Sequence, residues 1–273
     1  MYKMICWICK INYVDSKEHK YKKDLLKKIA FNSSNKSDKP YLFNLNNSGG
    51  LLQGPASEKV QYDNIICSIC NNQYSQPWDK AYSKFINFFI QDTCITHVNF
   101  KQIFGINYIK DFINLYKYFT KSLGCALVNG SLELPINFPN PLKDLHFENF
   151  KVTFCRCDSA QIFLNIMREK LSVKSPLIDD NMLGKGSLQV TYSKSYFEET
   201  GNKIATSAVW WESVGDLRIW YWYNRKPIGK FGFVLSDPDK KYPIKEANLT
   251  YKEIKQYDDL LYRILVSNPL LVD

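Results

Sequence analysis

Four of the eight cysteines in this 273-residue chain fall into two Cys-x-x-Cys pairs, Cys6/Cys9 and Cys67/Cys70. A two-residue spacing lets both thiolates of a pair point at one cation. Two such pairs supply the four sulfurs that a tetrahedral zinc ion takes. The 57 residues between Cys9 and Cys67 exceed the spacing of an ordinary finger, so the expected site staples two distant segments. The competing readings are two unrelated thiol pairs in a core, or a redox motif. The latter lacks the strand-to-helix junction of a βαβ unit. Cys94, Cys125, Cys155 and Cys157 show no such pairing and read as ordinary buried thiols.

A complete four-cysteine site needs no fifth ligand, which leaves Glu18-His19 unaccounted for. His19 is one of three histidines in the chain. A carboxylate beside an imidazole can hold a divalent cation while the ring takes a proton from water. The structural alternatives stay open: a solvated histidine at 19, turn residues at Asn64, Asn71 and Asn72, and a plain solvated lysine face over residues 20–28.

The net charge of +9 is concentrated at the start, where residues 1–40 carry ten Lys and Arg against four Asp and Glu. A basic surface favours nucleic acid or an anionic membrane, and a solvated lysine face accounts for it equally well. No segment reaches the roughly 18 consecutive apolar residues of a membrane span. Met1 to Tyr13 is too short and too interrupted by lysine for a signal peptide. A cytoplasmic protein with reduced thiols and no membrane partner is expected.

The elements that would position these residues can be read from periodicity. Residues 20–30 read as a helix with Leu25, Leu26 and Ile29 on one face, and residues 31–50 as an Asn- and Ser-rich loop. Tyr82, Phe85, Ile86 and Phe89 recur at helical spacing over 79–90. Further helices are expected over 108–123, 159–171 and, from a Thr250/Glu253 capping box, about 250–264. Prolines at 135, 139 and 141 interrupt the chain between halves. After residue 185 the period becomes two, with strands over 188–192, 205–212, 217–223 and 228–235. Gly184-Lys185-Gly186-Ser187 reads as a turn, since it lacks the earlier glycine of a phosphate loop. The expected fold class is α+β in three parts: a zinc-knuckle domain over 1–92, a helical connection over 93–144, and a β-rich domain closed by a helix over 145–273.

With Asn64 shortly before Cys67-x-x-Cys70-Asn71-Asn72, the first ninety residues resemble the HNH endonucleases, in particular those with a zinc-stabilised ββα-metal fold. The resemblance implies a metal-dependent phosphodiester hydrolase. His19 would be the general base and Asn64 would orient the loop that holds it. Glu18 and Asn71, with Asn72 as the alternative to Asn71, would hold a catalytic Mg²⁺ or Mn²⁺. Nucleic acid would be the partner, DNA ahead of RNA, and the C-terminal domain would select substrate, protein partner or activating ligand. Antiphage defence is the biological setting the analogy suggests. The chain departs from the family in its Glu at 18, the Lys20-Tyr21-Lys22-Lys23 run after the histidine, and the length of the His19–Asn64 interval.

Overall fold

The computed structural model describes residues 4–30, 41–42, 50–51, 54–91, 94–143, 149–156, 183–185, 189–192, 198–214, 217–224 and 236–246. The elements are β1 (Ser16–His19), α1 (Lys23–Ala30), β2 (Tyr41–Leu42), β3 (Gly50–Leu51), β4 (Gln61–Ile66), α2 (Gln76–Gln91), β5 (His97–Val98), α3 (Phe100–Phe104) and α4 (Tyr108–Asn129). They are followed by β6 (Phe150–Arg156), β7 (Leu183–Lys185), β8 (Gln189–Tyr192), β9 (Ala205–Val214), β10 (Leu217–Asn224) and β11 (Tyr242–Glu246). The class is mixed α and β.

A small N-terminal finger comes first. The first cysteine pair sits on a tight loop closed by Cys6 N–H to Asn12 O (2.8 Å) and Lys10 N–H to Cys6 O (2.9 Å), with Lys10 at φ 58°. That left-handed conformation disfavours a non-glycine residue and persists because the loop determines it. β1 then pairs antiparallel with β4, with Lys17 opposite Asn64 and His19 opposite Gln61. The second cysteine pair follows β4 in a helical turn, where Asn71 N–H reaches Cys67 O at 2.9 Å. A π-type turn over Cys70–Tyr74 leads into α2.

α2 buries Trp78, Tyr82, Phe85, Ile86 and Phe89 along one stripe, as its sequence period requires. α4 is longer, and every residue from Tyr118 to Leu127 is buried, so that stretch is covered on all sides. β6, β10 and β9 form the antiparallel centre of a seven-stranded sheet, with β11 parallel to β6. Period-two alternation sends Leu217, Ile219, Tyr221 and Tyr223 of β10 inward. The half-buried Trp220 and Trp222 stack on the opposite face at 5.8 Å. Helices and sheet meet through aromatic rings: Phe119 on Tyr221 at 5.1 Å, Tyr116 on Phe150 at 5.3 Å and Phe85 on Phe154 at 5.7 Å. Each fully buried side chain of this size contributes about 1.5–3 kcal/mol.

The finger rests on α4. The indole of Trp7, between the first two cysteines, lies against Gly124 so closely that a Cβ there would come within 2.3 Å of its Cη2. Phe138 meets the same indole edge-on at 5.9 Å, and Asn140 Nδ2 donates to Ile8 O at 2.9 Å. Buried side chains run continuously from Cys6 through the helices to Tyr242, across both of the boundaries expected at 92 and 144.

Several expectations meet the structure directly. Helices appear over Gln76–Gln91 and Tyr108–Asn129, and strands over Gln189–Tyr192, Ala205–Val214 and Leu217–Asn224. Two features differ. Gly184 and Lys185 belong to β7, paired with Ser213 and Glu212 of β9, because an open sheet edge claims them. Cys94 is exposed, whereas Cys125 and Cys155 are buried. α3 was not expected; Asn99 caps it by accepting from the backbone N–H of Lys101 and Gln102. Cys157, the segments 159–171 and 228–235, and the helix expected over 250–264 lie outside the described residues.

Candidate metal centre and the histidine beside it

The sulfurs of Cys6, Cys9, Cys67 and Cys70 all lie within 4.8 Å of one another. Zinc–sulfur bonds of about 2.3 Å place tetrahedral sulfurs about 3.8 Å apart. The Cys9–Cys67 separation is 3.8 Å. Cys6, Cys67 and Cys70 are buried, and Cys9 is partly covered. Asn12 N–H points at Cys9 Sγ at 3.5 Å and Cys70 N–H at Cys67 Sγ at 3.5 Å, orienting the sulfur lone pairs.

Burial pushes the Cys6 and Cys70 thiols up. Burial also opposes the Cys9 thiolate, but the backbone N–H groups of Asn12 and Ile11 and the neighbouring thiols outweigh it and bring that group to about 7. Four sulfurs this close, three of them buried, cannot all carry charge unless a cation sits among them. The donor set fits zinc, and both sequence-identified pairs are in it.

His19 ends β1 and is half-buried between β4 and the 54–57 loop. Its Nε2 lies 3.3 Å from Gln61 Nε2, which also donates to Ala56 O at 3.3 Å. Burial lowers the imidazole pKa below its ordinary value. The Glu18 charge acts the other way, and Lys23 and Lys22 add to the lowering. Near neutral pH the ring is therefore an uncharged base.

Glu18 is adjacent in sequence, but successive strand residues face opposite sides. Its carboxylate meets Lys121 Nζ of α4 at 2.9 Å, and the same ammonium reaches Asp79 of α2 at 3.2 Å and Ser75 Oγ at 3.3 Å. Lys22 Nζ completes the group at 2.8 Å from Asp79. Lys121 is 1% exposed. Burial alone would lower the pKa of that ammonium, and the two carboxylates outweigh it and hold the group above its ordinary value.

Asn71 Nδ2 donates to Ser16 Oγ at 2.8 Å and to Lys17 O at 3.1 Å, fastening the second cysteine turn to β1. Asn64 is exposed opposite Lys17, and Asn72 is exposed beyond the turn. Glu18 is thus engaged by Lys121, and Asn71 is engaged through its amide nitrogen. Among the described residues the cysteine quartet is the one gathering of three or more His, Cys, Asp or Glu donors at metal-ligand spacing.

Sequence reasoning missed Gln61 and Lys121. Gln61 reaches His19 only through a long-range strand pairing. Lys121 carried a readable signal, since a lysine within the apolar run Leu123-Gly124-Cys125-Ala126-Leu127 and its preceding turn must be paired to be buried. Among the described residues no helix is long and apolar enough to cross a membrane. No protein-family model, no curated protein and no solved structure matches this chain.

Proposed function

We propose that the chain is a zinc-stapled hydrolase of nucleic-acid phosphodiesters, of the HNH type that its cysteine pairs and Glu18-His19 resemble. The observation that carries the reading is His19: half-buried and kept neutral by burial, with the Lys23 and Lys22 charges adding to that effect. Cysteine loop, β1, β4, second cysteine turn and α2 also follow one another as in a ββα arrangement, with α1, β2 and β3 inserted between the two strands. Zinc on Cys6, Cys9, Cys67 and Cys70 holds the two ends of that arrangement together. His19 takes a proton from water, whose oxygen forms the new bond to phosphorus as the ester P–O bond breaks; the leaving oxygen departs with the bonding pair and is protonated from solvent. The exposed Lys23 attracts the phosphate and offsets the charge that builds on it. DNA is the expected substrate ahead of RNA. The sheet beyond residue 149 is where a protein partner or activating ligand would act, in a cytoplasmic setting and, by analogy, in antiphage defence.

The test uses zinc-loaded full chain on supercoiled plasmid, single-stranded DNA and structured RNA, with Mg²⁺, with Mn²⁺ and with neither. No step above runs through a divalent cation, so the metal arms are a measurement in their own right. His19→Ala should lower cleavage about 10²- to 10⁴-fold, the usual cost of a lost proton acceptor, with zinc content unchanged. Cleavage that survives the substitution refutes the reading.

The engagement of Glu18 by Lys121 favours a second reading, in which the same finger holds nucleic acid without cutting it. Salt-sensitive retention that is indifferent to His19→Ala, with no cleavage in any arm, selects that alternative.

A further inference from the structure

The His19 Nε2 lies 3.3 Å from the amide nitrogen of Gln61. An amide NH₂ donates and cannot accept, so Nε2 must be the acceptor there. The same amide nitrogen also donates to Ala56 O, which fixes which end of the Gln61 side chain faces the ring. In a neutral imidazole the proton therefore sits on Nδ1.

We infer that Gln61 holds His19 in its Nδ1–H tautomer, as a positioning residue that keeps Nε2 bare as the proton acceptor. This rests on the reading of His19 as the base. The Gln61 N–H occupies the place from which a water O–H would donate to the same lone pair. Water entering there displaces the amide and meets a ring already in the right protonation state. A proton moving to Nε2 yields an imidazolium that retains its Nδ1–H. Strand pairing supplies the alignment, since Gln61 opens β4 directly opposite His19.

The experiment is histidine nitrogen NMR on labelled, zinc-loaded full chain, with His19 assigned by loss of its signal in His19→Ala. The wild type should carry its proton on Nδ1. Gln61→Glu replaces the donor by an acceptor of the same shape, and should place a proton on Nε2 and lower cleavage about 10²- to 10⁴-fold, as for a lost base. Gln61→Leu offers neither donor nor acceptor, and should leave the ring exchanging between tautomers. Zinc content reports that each variant is folded. An Nε2–H wild type, or a Gln61→Glu protein whose Nε2 stays bare, overturns the inference. The tautomer is read without substrate, so that result leaves the role of His19 in cleavage standing. Conversely, cleavage that ignores His19→Ala removes the nuclease reading without touching the tautomer.

Discussion

The finger and the sheet–helix body hold themselves together by different means. In the body, order comes from large apolar side chains: Phe85, Phe119, Phe150, Phe154 and Tyr221 are all but fully buried and touch one another ring to ring. The finger has two short strands, four sulfurs and a salt-bridge cluster under them. Its apolar contribution is mostly Trp7, Ile8, Tyr62, Ile65 and Ile66, which pack as part of the same core. Each region is therefore vulnerable in its own way. The body loses stability in proportion to area removed, whereas the finger loses it when a single ligand or charge is removed.

The largest effect should come from the sulfurs. Cys6→Ser or Cys67→Ser removes a metal ligand, and structural zinc contributes about 10–16 kcal/mol in small metal-folded peptides. Hydrogen exchange should show loss of protection in β1 and β4, with β6, β9 and β10 still protected. Simultaneous loss in both would break the comparison and make the molecule one cooperative unit. It would also count against separate unfolding of the part beyond residue 145. Elemental analysis that finds no zinc in protein prepared without chelator removes the premise.

Lys121→Ala comes next. It leaves Glu18 and Asp79 facing each other without the ammonium between them, and breaking such a buried pair costs about 3–5 kcal/mol. Chemical denaturation should place the loss near that range. Lys121→Met, which fills the volume without the charge, separates lost packing from lost pairing. A change under about 0.5 kcal/mol, typical of an ordinary surface site, would mean the cluster is incidental.

Gly124→Ala should have the smallest effect of the three, about 1–3 kcal/mol, because the added methyl meets an indole that must shift. The shift is local to the finger–α4 contact. The paired change Gly124→Ala with Trp7→Leu should recover part of the loss in a double-mutant cycle. Additive losses would mean the indole is free to yield.

Much of this was legible beforehand where chemistry acts locally. The cysteine pairs could be read because a two-residue spacing is itself the ligand geometry, and α2, α4, β9 and β10 because their periods run long enough to average out exceptions. What could not be read depends on register. Nothing within Gln61-Tyr62-Asp63-Asn64 says which residue will face His19, and the pairing gives that place to Gln61 while Asn64 stands opposite Lys17. The opposed faces of Glu18 and His19 follow from strand period alone, once residues 16–19 are known to be a strand. β7 was missed because Gly184 and Lys185 owe their conformation to β9 and not to their own propensities.

The long excursion from His19 to Gln61 has a kinetic consequence. Its two ends are paired neighbours, so forming the β1–β4 pair means closing a loop of some forty residues. Gathering the sulfurs from Cys9 and Cys67 closes nearly the same loop. The entropy of that closure is lost once, by whichever event comes first, and the other then becomes almost local. Metal capture and strand pairing thus form a single slow step with two entrances, and zinc supplied early should speed refolding.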